Sequence, residues 1–183
     1  NLGEGKLYGA QENDLHYLQG CALELMAKKE ESQMAARDLR SQSKAKFELA
    51  TKGISEPVQA IFYNDPQPDK IFYQGLAWIK LGASAKAATI FEKLVDFGRR
   101  HLEDKIKIDY FAVSLPDLLV FDQDLDIKNR LHCLYLIGLG KLGLGDYSAA
   151  TGYLEQVLEG NLNHQGAQIH LQMVAFLKTE AAI

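Results

Sequence analysis

Residues 130–160 read RLHCLYLIGLGKLGLGDYSAATGYLEQVLEG, and this stretch decides the fold. Apolar side chains recur at three- and four-residue spacing on both sides of a short turn, Leu144-Gly145-Asp146. This periodicity is typical of amphipathic helices, and Asp146 is a suitable N-cap for the second one. The stretch therefore predicts a helical hairpin with Gly145 in its turn.

Residues 70–98, KIFYQGLAWIKLGASAKAATIFEKLVDFG, repeat the same template. Aligning Gly75 with Gly138 pairs Leu81-Gly82 with Leu144-Gly145, Ala87 with Ala150, and Phe91 with Leu154. Ser84 is the expected N-cap of the second helix in this copy. A weaker copy lies at 14–40, where Gly20 takes the small position but the Leu-Gly turn is missing. Internal repeats of this kind indicate an array of stacked helical hairpins.

These segments resemble the tetratricopeptide repeat. The resemblance implies an all-α fold of tetratricopeptide-like hairpins in a right-handed superhelical stack. It also implies that paired helices cross at Gly75 and Gly138, with the Ala of the second helix against the small residue. The spacing between Gly20, Gly75 and Gly138 far exceeds the roughly 34 residues of contiguous repeats, so two inserts are expected.

We interpret the chain as one helical domain, 1–183. Its expected parts are an N-terminal linker or docking segment 1–13, a degenerate repeat 14–40, an insert 41–69, a repeat 70–102, an insert 103–125, a repeat 126–160 and a capping helix 161–183.

Composition limits the function classes. The net charge is −4 and no cluster of Lys and Arg stands out, which argues against a nucleic acid partner. No apolar run reaches the roughly 18 residues that a membrane-spanning helix needs. Cys21 and Cys133 are expected to be reduced and buried, and a disulfide between them stays open although nothing requires it. No signal peptide is visible, and a cytoplasmic location is the expectation, although the chain opens without Met and is interpreted as part of a longer protein.

The glycines Gly138, Gly140 and Gly143 fit the Gly-x-Gly-x-x-Gly pattern of dinucleotide-binding folds. That fingerprint needs a strand before the first glycine, whereas residues 130–137 have helical periodicity, so nucleotide binding is not predicted. The repeat does not explain Gly140 and Gly143, each of which costs a helix about 1 kcal/mol relative to Ala. We expect another backbone to pack closely there, and the insert before Asp126 is the first candidate.

No motif predicts a catalytic, cofactor or metal site. The spacing of the five histidines, with His164 and His170 six apart, does not suit a zinc site. Asp122, Asp124 and Asp126 have the spacing of a calcium loop, but its Gly and Glu are missing, so Asp126 is expected to cap a helix beginning near Ile127. A carboxylate pair for glycoside hydrolysis stays open, although nothing singles out two acids.

Tetratricopeptide stacks line their concave face with the first helix of each pair. The corresponding residues, the predicted inner face, are Tyr17, Phe72, Leu76, Ile79, His132, Tyr135 and Leu139. This set lacks the Lys, Arg and Asn with which family members hold peptide carboxylates, so such a clamp is set aside. Either the insert 103–125 folds back over this apolar surface, or a partner docks on it.

Three longer segments are similar to the C-terminal part of large bacterial proteins in which a carbohydrate-processing-like, galactose-mutarotase-like domain precedes tetratricopeptide repeats. They are NLGEGKLYGAQEND at 1–14, YNDPQPDKIFYQGLA at 63–77, and the run from Lys107 to Tyr147. The resemblance implies a non-catalytic scaffolding module that docks onto its own upstream domain or self-associates as a homo-oligomer. The alternative is a helical part of a glycoside-processing enzyme that shares a site with that domain. Within segment 1–13, the expected docking residues are Gly3, Gly5, Gln11, Glu12 and Asn13.

Overall fold

The computed structural model describes residues 11–59, 66–106 and 124–181. Gly3, Gly5 and residues 107–123 of the second predicted insert lie outside these ranges. The described residues form seven helices and no strand: α1 Asn13–Lys29, α2 Gln33–Ala50, α3 Pro68–Lys80, α4 Ser84–His101, α5 Leu125–Gly143, α6 Tyr147–Gly160 and α7 Gln165–Ala181. The prediction of an all-α fold is confirmed.

Consecutive helices pack in pairs, α1 with α2, α3 with α4, and α5 with α6, and α7 packs on α6. Gly82 and Gly145 occupy the turns of the second and third pairs with φ of 76° and 80°. An L side chain rarely adopts this left-handed conformation, so glycine ends each first helix at little cost. The two Leu-Gly dipeptides therefore set the hairpin turns, as the sequence indicates.

A glycine of the first helix faces a bulky apolar side chain of the second helix in all three pairs. Gly20 faces Phe47, and a Cβ at Gly20 would lie 2.6 Å from that ring. Gly75 faces Phe91, and Gly138 faces Leu154. The sequence correctly places the small residues at the crossings but expects Ala of the second helix opposite them. The bulky side chain fills the space instead, because the missing Cβ leaves room for a ring or a branched chain.

The helix α2 runs on to Ala50, so the predicted boundary between repeat and insert at 40 and 41 falls inside it. Ser32 caps its start by accepting a hydrogen bond from the Ala35 amide. Phe47, near its end, is the residue that meets Gly20. The first hairpin, 13–50, is therefore longer than the other two, and the partner of Gly20 lies farther along the second helix than the repeat template places it.

The helix α4 explains Gly140 and Gly143. A Cβ at Gly140 would lie 2.6 Å from both the Phe91 carbonyl oxygen and the Val95 Cγ2. A Cβ at Gly143 would overlap the Phe91 ring, which is also wedged against Gly75. Most of the insert before Asp126, the neighbour expected from the sequence, lies outside the described residues. Among the described residues the close backbone belongs to α4, so the two glycines let consecutive hairpins approach.

The helix starts agree with the sequence in part. Asp146 accepts a hydrogen bond from the Ala149 amide, which confirms it as the N-cap of α6. Asp124, rather than Asp126, caps α5, because its carboxylate accepts from the Asp126 and Ile127 amides. Ser84 is the first residue of α4 and not its cap. The predicted last helix corresponds to α7.

Candidate functional site

The first helices of the pairs bring their rings together in one group, the aromatic cluster: Tyr17 of α1, Phe72 and Tyr73 of α3, Tyr135 of α5 and His170 of α7. Phe72 and His170 meet edge to face with ring centroids 5.2 Å apart, and Tyr73 lies 5.4 Å from Tyr17. Phe72 is 0% exposed and Tyr135 5% exposed. These two residues of the predicted inner face are therefore core residues, and neither is open to a partner.

Hydrogen bonds orient His170 within the aromatic cluster. Its Nδ1 lies 2.6 Å from the Gly166 carbonyl oxygen and 3.1 Å from the Tyr135 hydroxyl. Because a carbonyl only accepts, Nδ1 carries the proton and donates to it. Burial lowers the pKa of His170, so the ring is neutral near pH 7. Its buried Nε2 is an acceptor with no donor among the described residues.

His164 and His170 both contact Tyr135, which the sequence does not predict. Their six-residue separation places them on different faces of a continuous helix, but His164 precedes α7. There its Nδ1 accepts a hydrogen bond from the Ala167 amide, and its ring lies 4.6 Å from that of Tyr135. Spacing along the sequence misses this arrangement, because it does not show that His164 caps α7 instead of lying within the helix. No group of three or more potential metal ligands forms within the described parts of the chain.

Acidic side chains and one lysine lie beside the aromatic cluster. Lys70 Nζ is 2.5 Å from an Asp14 carboxylate oxygen and 3.8 Å from an Asp69 oxygen. The other oxygen of Asp14 is buried and has no hydrogen-bond partner in the described structure. The negative charge of Asp69 also acts on Tyr73, whose pKa is raised chiefly by burial. The cluster thus has two carboxylates and one lysine at its edge, in addition to the neutral ring of His170 within it.

The predicted docking residues Gln11 and Asn13 bind the end of α2. Asn13 Nδ2 donates to the Ala50 and Lys52 carbonyl oxygens at 2.7 Å each, and Gln11 Nε2 donates to the Ile54 carbonyl at 2.9 Å. Their amide oxygens are buried and accept no hydrogen bond from any described residue. Glu12 precedes α1 as its N-cap residue. The side chains of Gln11 and Asn13 therefore hold the start of α1 to the end of α2. Their two amide oxygens keep unused capacity to accept a hydrogen bond.

The other residues of the predicted inner face do not form one surface. Leu139 is fully buried, Leu76 is half-buried, and Ile79 is 45% exposed. His132 is half-buried, and its Nε2 lies 2.7 Å from the Val58 carbonyl oxygen. The face that the sequence treats as continuous is thus divided between core and solvent.

A row of apolar side chains on α1, the α1 stripe, is exposed instead. Its members are Leu15, Leu18, Ala22, Leu25 and Met26, and the four large ones are 52%, 53%, 58% and 56% exposed. They lie opposite Gly20 and Ala27, which are buried. These residues recur at three- and four-residue spacing, a signal that the sequence does carry, but the same spacing is equally typical of a face packed in the core.

The two cysteine thiols are poorly suited to nucleophilic catalysis. Both cysteines are free, and burial raises the pKa of the Cys133 thiol to about 11. Cys21 also has a raised pKa, again chiefly because of burial. A thiol that is not ionised near pH 7 is a poor nucleophile, so these groups serve packing. No helix in the described ranges is long and apolar enough to cross a membrane.

No family model matches the chain, and no solved structure gives a significant match.

Proposed function

We propose that the protein is a non-catalytic interaction module, a tetratricopeptide-like stack of helical hairpins in a right-handed superhelix. In this proposal it docks onto another part of a larger bacterial, carbohydrate-related protein or onto a second copy. Three features support the repeat assignment: the glycine at each crossing, the Leu-Gly turns at Gly82 and Gly145, and the packing of α3 and α5 on the hairpins that precede them. Such stacks present extended binding surfaces by repetition.

The α1 stripe is the observation that carries the proposal. Aligning Gly20 with Gly75 and Gly138 places Ala22 at the positions of Ala77 and Gly140. Both of those residues are buried, Ala77 in a cluster with residues of α2 and Gly140 against α4. The face of a first helix that packs on a neighbouring hairpin is therefore covered in α3 and α5, whereas in α1 it is exposed.

Exposure of this face has an energetic consequence. Burying a leucine side chain completely contributes about 1.5–3 kcal/mol, so covering each half-exposed residue of the α1 stripe would contribute roughly 1 kcal/mol. Contiguous apolar patches of this kind mark sites of association rather than ordinary surface. The hydrophobic effect thus favours a partner on the α1 stripe, as it favours the packing of α3 and α5 on their neighbours.

Site-specific photocrosslinking on the natural protein at full length tests the proposal. A benzophenone amino acid replaces Leu25 in one variant and Ile127, an exposed residue of α5, in a control variant. Crosslinked peptides are then identified by mass spectrometry. We expect crosslinks from position 25 to another domain or to a second copy, and none of that kind from position 127. Products at position 25 confined to α1 and its own neighbours would contradict the proposal.

A second candidate function is a contribution to a glycoside-processing site shared with an upstream domain. One observation favours it: polar groups with unused hydrogen-bonding capacity lie at the end of segment 1–13 and directly after it. The buried oxygens of Gln11, Asn13 and Asp14 have no donor within the described residues. Carbohydrate hydroxyls are donors of the required kind, and Asp14 and Asp69 supply two carboxylates.

Hydrolysis of a panel of nitrophenyl glycosides by the full-length protein tests this second candidate. If the site is shared, Asp14→Asn and Asp69→Asn reduce the rate by at least tenfold, whereas Asp38→Asn on the exposed side of α2 leaves it unchanged. Unchanged rates in both variants, or no hydrolysis of any member by the unaltered protein, would exclude this role.

A further inference from the structure

We propose that the partner of the α1 stripe is a second copy of this chain, with the two α1 helices packed antiparallel. This inference deepens the proposed interaction module and rests on it, since it names the occupant of the same surface. Three properties of α1 lead to it: the spacing of its exposed residues, their size compared with those of α3 and α5, and the charges at its two ends.

The exposed residues of α1 follow the a/d spacing of a coiled coil. Leu15, Leu18, Ala22 and Leu25 are separated by three, four and three residues, and Lys29 continues the series. Gly20 and Ala27 occupy the opposite f positions and are buried. Leucines repeated in this way form a seam that fits the same seam on another helix. The packing of α2 on α1 already stabilises α1 as a helix in the single chain. Association through the short seam therefore does not have to supply the free energy of folding α1.

The size of Leu25 argues against a further hairpin that packs in the manner of α4 on α5. The residue of α5 aligned with Leu25 is Gly143, and its missing side chain makes room for the Phe91 ring. In α3 the aligned residue is Lys80, whose ammonium reaches over the Phe47 ring. A branched leucine at this position would obstruct a ring placed like that of Phe91. A leucine seam meets no such obstruction.

An antiparallel register places apolar residues opposite each other throughout the seam. With the crossing point at Gly20, Leu15 meets Leu25 of the second copy, and Leu18 meets Ala22 of the second copy. The small Ala22 lets the helix axes approach closely near the centre. The end of α1 with Lys28 and Lys29 then lies beside the acidic end with Glu12. Glu30 and Glu31 follow these lysines, but in a parallel register Lys29, which continues the a/d series, would face Lys29 of the second copy across the seam, so that register is disfavoured.

The expected dimer is weak and reversible. From Leu15 to Lys29 the seam is about 21 Å long at 1.5 Å per residue, so the interface is at the small end of specific protein contacts. We therefore expect a dissociation constant on the order of 10–100 µM, as is typical of small transient interfaces.

Sedimentation velocity on the 183-residue chain between 5 and 300 µM tests the association. We expect the mass to rise from 20.4 kDa toward twice that value. Leu18→Glu combined with Leu25→Glu should keep the protein monomeric, while Ile169→Glu, on the exposed side of α7, should leave the dimer intact. Both substituted leucines are exposed, and an unchanged circular dichroism spectrum verifies that the variant is folded.

Disulfide trapping tests the antiparallel register. In a Cys21→Ser background, Leu15→Cys and Leu25→Cys proteins are mixed under mild oxidation. Preferential formation of the mixed 15–25 disulfide supports the proposal, whereas preferential 15–15 and 25–25 pairs overturn the register. A chain that stays monomeric at 300 µM overturns the second-copy proposal. The interaction module itself fails only if position 25 also forms no crosslink in the full-length protein.

Discussion

Substituting Gly140 by Ala tests the explanation of the glycine-rich segment in α5. The added Cβ would lie 2.6 Å from the Phe91 carbonyl oxygen and from Val95 Cγ2, so α4 must move away from α5. Overpacking a core in this way costs about 1–3 kcal/mol. Because alanine is the better helix former by about 1 kcal/mol, the free energy of unfolding should fall by a net amount of up to about 2 kcal/mol.

Gly152→Ala is the matched control, because Gly152 lies within α6 and a Cβ added there would meet no described atom within 4 Å beyond its own helix backbone. There the helix-propensity gain is unopposed and should raise the free energy of unfolding by up to about 1 kcal/mol. Urea denaturation followed by circular dichroism measures both changes. If Gly140→Ala is as stabilising as Gly152→Ala, the close contact between α4 and α5 does not exist and the argument fails.

Three further predictions concern the core. Since burial lowers the pKa of His170 below the unfolded-state value of about 6.5, the unfolded chain takes up a proton before the folded one. The contribution of His170 to the free energy of unfolding should therefore be constant above about pH 7.5 and decrease as the pH falls, and His170→Asn should make urea midpoints less dependent on pH between 7 and 5. Asn13→Ala removes both hydrogen bonds to the end of α2 and should cost about 1–3 kcal/mol in urea titrations, against less than about 0.5 kcal/mol for Gln42→Ala on the surface. Phe91→Ala should cost about 3–5 kcal/mol by the same assay, and a loss under 1 kcal/mol would be inconsistent with its wedged position.

The hairpins of α3–α4 and α5–α6 were predictable because their signals are local. A Leu-Gly turn, an apolar periodicity and an N-cap such as Asp146 all act within about ten residues of chain. The first hairpin was harder to delimit because its glycine and its partner ring, Gly20 and Phe47, are far apart in sequence. A repeat template with fixed spacing misplaces this partner, because α1 continues farther beyond its glycine than α3 and α5 do and Phe47 lies near the end of α2.

The candidate sites were less predictable, since exposure depends on which faces the neighbouring helices cover. Phe72 and Tyr135 belong to the predicted inner face by repeat position, but α7 brings His170 against both of them. Leu18 and Leu25 have the same periodic spacing as core residues, although no helix covers them in the described structure. Periodicity shows that a side chain lies on one face of a helix, but it does not show what that face meets.

The sequence alone determined that the chain is helical, where two of the hairpins turn, and that small residues stand at the helix crossings, because these properties arise from backbone conformation and short-range spacing. Only the tertiary structure decided that α4 occupies the space left by Gly140 and Gly143. It also decided that two histidines six residues apart converge on Tyr135, and that α1 keeps an apolar face in solvent. These three features depend on contacts between helices distant in sequence, so no local pattern encodes them.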